Sequence, residues 1–253
     1  AKLEEMVAEL EHMSQSMVHS MRAPLRAILS FAELIERREG QRLRSDSREL
    51  FARMGRSIHQ MDQLITDTLN YNKAVRSRLP LGPTNVGELL QGLLRAYAEF
   101  QPPQTEVRLE GECPWVLGNE SGLTQCFSEL LRNAVKFVRP GTPPRVKVWA
   151  EVLTHAPAER AGLESGPPGA GNKWVRIWVE DNGTGIPQEG QARIFEMFQR
   201  MHGSEYEGTG IGLALVRKLV ERMGGHIGVE SVEGQGSRFW MELKAAEPLD
   251  RTD

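Results

Sequence analysis

Apolar residues recur every three or four positions through the first third of the chain, then give way to alternation and short apolar runs. Leu3, Met6, Leu10, Met13 and Met17 step by three, four, three and four, the heptad spacing of a helix that lays one seam against a partner helix. No Gly interrupts residues 2–38, and the only Pro there, Pro24, should weaken one turn and bend the helix just after His19. Gly40 to Ser47 is a polar break in which Ser45, Asp46 or Ser47 can cap the next helix. That second helix is predicted over 48–73, because Leu50, Met54, Ile58, Met61, Ile65 and Leu69 keep helical spacing. Two helices with a short connection form an antiparallel hairpin, and two hairpins form a four-helix bundle. A homodimer through the N-terminal helices is the simplest partner arrangement.

Leu79-Pro80-Leu81-Gly82-Pro83 punctuates the chain. The predicted division is a helical hairpin over 1–78, a linker over 79–84, a mixed α/β domain over 85–247 and a tail over 248–253. In the second domain helices are predicted over 85–100, 120–137 and 211–223, the last ended by Gly224-Gly225. Strands are predicted over 105–109, 115–117, 145–153, 173–180, 226–231 and 237–243. The Pro- and Gly-bearing stretch 154–172 reads as a long hairpin tip without chemistry.

Composition narrows the picture from outside. A 253-residue chain can bury a real core, and its net charge of −3 makes no case for nucleic acid as a partner. Residues 21–78 nevertheless hold twelve Lys or Arg against seven Asp or Glu, a surplus that suits an acidic protein partner. There is no run of about 18 apolar residues and no signal peptide, so a cytoplasmic location is expected. The chain begins on Ala, which predicts a fragment whose upstream partner is missing. Cys113 and Cys126 stand in no metal-binding spacing and are expected to be reduced thiols.

The chemistry concentrates in residues 181–213. Asp181-Asn182-Gly183-Thr184-Gly185 opens this stretch and Gly208-Thr209-Gly210-Ile211-Gly212 closes it, running directly into a helical pattern. Gly-rich loops bring bare N–H groups close to a ligand, and a helix N-terminus favours negative charge. Two such loops predict a nucleotide held between them. Upstream, Glu129 and Asn133 are four apart and share a helix face. A carboxylate and an amide oxygen suit Mg²⁺, which takes oxygen ligands and shares itself with phosphates. Lys136, one turn on, can act as a point charge on phosphate.

These residues carry a family resemblance. The chain resembles the catalytic core of a bacterial sensor histidine kinase, with the wording FQRMHGSEYEGTGIGL most similar to the phytochrome-type branch. His19-Ser20-Met21-Arg22-Ala23-Pro24-Leu25 resembles the phosphoacceptor box, and residues 129–137 resemble the N box. Asp181 to Gly185 resembles the first G box, Phe195-Glu196-Met197-Phe198 the F box, and Gly208 to Leu213 the second G box. The resemblance implies an α/β sandwich of the histidine kinase/Hsp90-like ATPase type, with a mixed sheet on three helices. It implies His19 as phosphoacceptor, flanked in its box by Ser20 and Arg22, with ATP as donor and an aspartate of a response-regulator receiver domain as acceptor. It implies Asn133 and Glu129 as Mg²⁺ ligands, with Lys136 and Phe137 beside the nucleotide. Asp181 would accept from the adenine amine, while Gly183, Gly185 and Ile186 approach base and ribose. Gly208, Gly210 and Gly212, with Thr209, Ile211 and Leu213, would present the phosphate-binding loop. Residues 186–207 would form a lid anchored by Phe195 and Phe198, with Arg200 and His202 as phosphate contacts.

Two departures matter. The family usually places Asp or Glu after the His, where it helps remove the imidazole proton, and this chain has Ser20. The family usually places Thr or Asn four residues past the His, and this chain has Ala23. Slow autophosphorylation and weak phosphatase activity are the expectations. Two alternatives remain open on sequence: a nucleotide-binding scaffold that signals by conformation, and an ATPase or chaperone of the same nucleotide fold. His12, His59 and His155 are expected to be surface residues without a role.

Overall fold

The computed structural model describes residues 22–35, 37–38, 43–76, 78–153, 173–199, 201 and 208–248. The Leu3–Met17 seam, His19, Ser20, the 154–172 stretch, Arg200, His202 and the tail beyond 248 lie outside the described residues.

Helix α1 is helical from residue 22 to 35, and α2 spans Ser45–Arg76. Helix α2 starts three residues earlier than the apolar spacing predicts. Its first turn closes when the Arg48 N–H donates to the Arg44 carbonyl at 3.1 Å, while the Ser45 hydroxyl donates to Asp46. Leu25 on α1 meets Ile58 and Ile65 on α2 in a small core, and Arg22 ties the helices by donating to Asp62 Oδ1 at 2.9 Å. The other side of the hairpin is left open: Phe31 is 64% exposed and Leu50 65%. No helix of the described residues is long and apolar enough to cross a membrane.

Helix α2 also outruns its predicted end. Ala74 is buried in the core of the following domain, Tyr71 packs against it, and Arg222 donates to the Ala74 carbonyl. Strand β1 (Gly82–Asn85) then pairs antiparallel with β3 (Trp115–Gly118), so the linker expected over 79–84 is strand from Gly82 onward. A short two-stranded ribbon tolerates Pro83, which needs to donate no bond on its outer edge. Asn85 caps α3 (Val86–Ala96) by accepting from the Glu88 N–H at 3.1 Å. The helix predicted to Phe100 stops at Tyr97, which turns extended at φ −116°, and a 3₁₀ turn covers Ala98–Phe100.

Strand β2 (Glu106–Glu110) precedes β3, and Asn119 caps α4 (Glu120–Lys136). There follow β4 (Arg145–Leu153), β5 (Trp174–Asp181), a single helical turn α5 (Gln188–Gln191), α6 (Gly212–Arg222), β6 (His226–Val232) and β7 (Gly236–Lys244). The second sheet runs β2-β4-β5-β7-β6, with β2 and β4 parallel and every other pair antiparallel. Register sorts its two faces, because alternate residues share a side. Val148, Val179 and Phe239 align in one row and Ile177, Met241 and Ile227 in the next; all join the core with Leu90, Phe127 and Leu219 of the helices. Trp149, Trp178 and Trp240 align on the other face, where the Arg176 guanidinium packs over Trp178 and Trp240 and pairs with Glu242. The result is the mixed sheet on three helices that the resemblance implies.

Candidate active site

The same register fixes where the site begins. Asp181 pairs with Val146 and Ser237, one step beyond the Val148–Val179–Phe239 row and on the same side of the sheet. A carboxylate thus ends an apolar column and faces inward. Its Oδ1 accepts from the Gly183 N–H at 2.8 Å and the Ser237 N–H at 3.2 Å. Burial pushes its pKa up from 3.8 to about 6, against the pull of those two N–H donors, with the Glu180 charge adding a smaller push. It lines a cavity of about 850 Å³.

Helix α4 supplies a second wall. Phe127, Leu130, Leu131 and Ala134 are buried in the core, which leaves Glu129, Asn133 and Lys136 on the cavity side, with Phe137 just past the helix end. Burial, then the Asp67 charge, raises the Glu129 pKa, while Arg132 and Lys136 oppose the rise. The Lys136 ammonium lies 4.7 Å from the Phe137 ring centre and against Gly208, where a Cβ would come within 2.6 Å of it. Among the described residues no group of three His, Cys, Asp or Glu could hold a metal ion. The donor set still fits Mg²⁺, since the Glu129 and Asn133 oxygens share one cavity wall and that ion completes its sphere with water and phosphate.

The two Gly clusters close the cavity, though not every member touches it. Gly185 lines the cavity at φ 72°, and a Cβ there would lie 2.1 Å from the Val232 carbonyl. Gly183 is not in the lining but lies against Asp181, and a Cβ there would come within 2.5 Å of the Phe137 carbonyl and 2.7 Å of Asp181 Oδ1. Ile186, Gly208, Thr209, Gly210, Gly212 and Leu213 line the cavity, while Ile211 is fully buried behind it. Phe195 packs on the core as an anchor should. Phe198 does not: it sits at φ 64°, 58% exposed, with its N–H donating to the Gly210 carbonyl at 2.9 Å. The link from Phe198 to the second Gly cluster is made through backbone and not through the ring.

A third wall was not legible in the sequence. His59, Gln60, Gln63 and Asp67 of α2 line the cavity, and Thr209 Oγ1 donates to Asp67 Oδ2 at 2.5 Å. Residue spacing within α2 carries no signal for this, because docking of the hairpin on the second domain decides which side of α2 faces the cleft. Ser237 was missed as well, although strand parity with Asp181 could have found it. Arg22 does not line the cavity; it is bound to Asp62 and Thr66 on α2.

Residues 118–247 match the family of histidine kinase-, DNA gyrase B- and HSP90-like ATPases, and residues 9–75 match the His Kinase A (phospho-acceptor) domain. The chain belongs to the histidine kinases. This kinase core is 30% identical over 243 residues to the phytochrome-like protein Cph1 of Synechocystis sp., covering 95% of this chain and 30% of that protein. It is 34% identical over 243 residues to the sensor histidine kinase AruS of Pseudomonas aeruginosa, covering 91% of this chain and 22% of that one. The kinase core therefore spans less than a third of the length of these relatives. Among solved structures, full-length ShkA in complex with AMPPNP matches 94% of this chain and 47% of its own, at 27% identity and a TM-score of 0.61. The histidine kinase AdeS of Acinetobacter baumannii, at 18% identity and a TM-score of 0.56, shares the fold.

Proposed function

We propose that this chain transfers the γ-phosphoryl group of ATP to His19 and then to an aspartate of a response-regulator receiver domain. The observation that carries this reading is the single cavity that gathers Asp181, the Glu129–Asn133–Lys136 face and the second Gly cluster. Asp181 Oδ2 is the oxygen left to accept from the exocyclic amine of adenine, since the bonds from Gly183 and Ser237 fall on Oδ1. That amine distinguishes adenine from guanine. The amides of Gly208 to Gly212, just before α6 and beside the Lys136 ammonium, would donate to phosphate oxygens. Glu129 and Asn133 would hold Mg²⁺, which when bound offsets phosphate charge in the transfer. The AMPPNP complex of ShkA supports an ATP-like ligand for this fold.

The acceptor is an imidazole, whose neutral form carries one ring nitrogen with a free lone pair. That nitrogen bonds to the γ-phosphorus, the bond to the ADP oxygen breaks, and the second ring nitrogen yields its proton. Ser20 has no charge to assist that loss. General-base help is typically worth about 10²–10⁴-fold, which supports a slow kinase; Ala23 offers no group to position water for receiver dephosphorylation. The exposed apolar side of the hairpin supports a homodimer that closes the four-helix bundle. The deciding experiment incubates the chain with γ-labelled ATP. Acid-labile, base-stable label on the wild type and none on His19→Ala is expected. Nucleotide binding without label would favour a conformational scaffold, and free phosphate without label would favour an ATPase.

A further inference from the structure

The turn of α2 from Asp62 to Asp67 is gripped from two sides. Arg22, in the phosphoacceptor box, donates to Asp62 Oδ1 and to the Thr66 hydroxyl. From the other domain Thr209 Oγ1 donates to Asp67 Oδ2 at 2.5 Å, while Gln63 on α2 itself donates from Nε2 to Oδ1 at 2.8 Å. Thr209 is 8% exposed and stands between Gly208 and Gly210, in the loop proposed to bind phosphate. Among the described residues Asp67 has no ion pair, and it shares the cavity with a second carboxylate, Glu129. One residue therefore joins the helical hairpin to the second Gly cluster while placing a carboxylate, with no direct ion pair among the described residues, in the cavity proposed for the triphosphate.

We propose that Asp67 is a nucleotide-displaced latch. In the empty protein its bond to Thr209 holds the ATP-binding domain against α2. Phosphates arriving at the second Gly cluster repel the carboxylate, break that bond and release the domain from the hairpin. The charge is the active feature: a neutral acceptor of the same shape could keep the bond without opposing phosphate. The same turn is tied through Arg22 to α1, three positions past His19 in the sequence, so release at Asp67 acts on the turn that α1 itself holds. This inference rests on the nucleotide reading of the cavity, and its test separates the two.

The full 253-residue chain is titrated with the non-hydrolysable β,γ-imido analogue of ATP, with saturating Mg²⁺ and again with chelator, as wild type, Asp67→Asn and Asp67→Ala. The expected result is binding by the wild type and affinity raised about threefold to thirtyfold in both variants, with or without Mg²⁺, as removal of a partly screened like charge implies. Small-angle scattering should show the wild-type radius of gyration growing on binding, and Asp67→Ala already enlarged without ligand. Weaker binding in the variants with Mg²⁺ alone would make Asp67 a metal ligand and overturn the latch. Unchanged affinity, or a radius that does not respond to ligand, overturns it too. If the wild type fails to bind the analogue at all, the nucleotide reading falls and the latch falls with it.

Discussion

Asp181 loses water on entering the core and recovers part of that loss from the Gly183 and Ser237 N–H groups, which leaves its pKa near 6. Ligand binding to the free oxygen needs the carboxylate, so affinity for adenine nucleotide should fall as pH drops below about 6. Asp181→Asn should bind about tenfold to a hundredfold more weakly at pH 7.5, from loss of one charge-assisted hydrogen bond, and its pH profile should be flat. Titration of a fluorescent ADP between pH 5 and 8 checks both, and a sloping profile in the variant would remove Asp181 from adenine recognition. The sign for stability is opposite. A carboxyl whose folded pKa is raised contributes stability below pH 3.8 that is lost as pH rises through about 6. Ser20→Glu belongs to the same scale: the labelling rate of His19 should rise, and an unchanged rate would mean that the proton leaves unaided.

At the scale of elements, most of what mattered was written locally. Asn85 and Asn119 cap their helices, alternation marks β4 and β5, and the four-residue spacing of Glu129 and Asn133 puts both on one side of α4. The errors fell where an element takes its boundary from a neighbour. Strand β1 exists because β3 offers it a partner, and α2 runs to Arg76 because Ala74 and Tyr71 find a core beyond the hairpin. The loop after β5 makes the sharpest prediction at this scale. Gly185 combines φ 72° with the Val232 carbonyl in the space of its missing Cβ. Gly185→Ala should destabilise the domain by at least about 1 kcal/mol, from backbone strain before any clash is counted, and should weaken nucleotide binding. A thermal midpoint equal to wild type would show that the loop can shift away from Val232.

The whole molecule is two domains joined by one helix, since α2 belongs to the hairpin core through Ile58 and Ile65 and to the second core through Ala74. The hairpin by itself leaves Ile28, Phe31, Leu34 and Leu50 exposed, more apolar surface than a lone two-helix unit keeps in water. A second copy covering that side predicts that Phe31→Glu converts a dimer to a monomer in sedimentation equilibrium. Trans-labelling between His19→Ala and a nucleotide-binding-deficient chain should be lost with the dimer. A monomeric wild type at micromolar concentration would sink the bundle.

The sequence by itself determined the elements, their order and the chemistry of two walls of the cleft, because capping, strand alternation and helical spacing act over a few residues and need no partner. Only the tertiary structure decided that Gly183 lies against the Phe137 carbonyl, that the Phe198 ring points out, and that Asp67 reaches Thr209 from 142 positions away. Those outcomes depend on contacts between residues far apart in the chain, within the second domain for Gly183 and Phe198 and between the hairpin and that domain for Asp67, which no local pattern records.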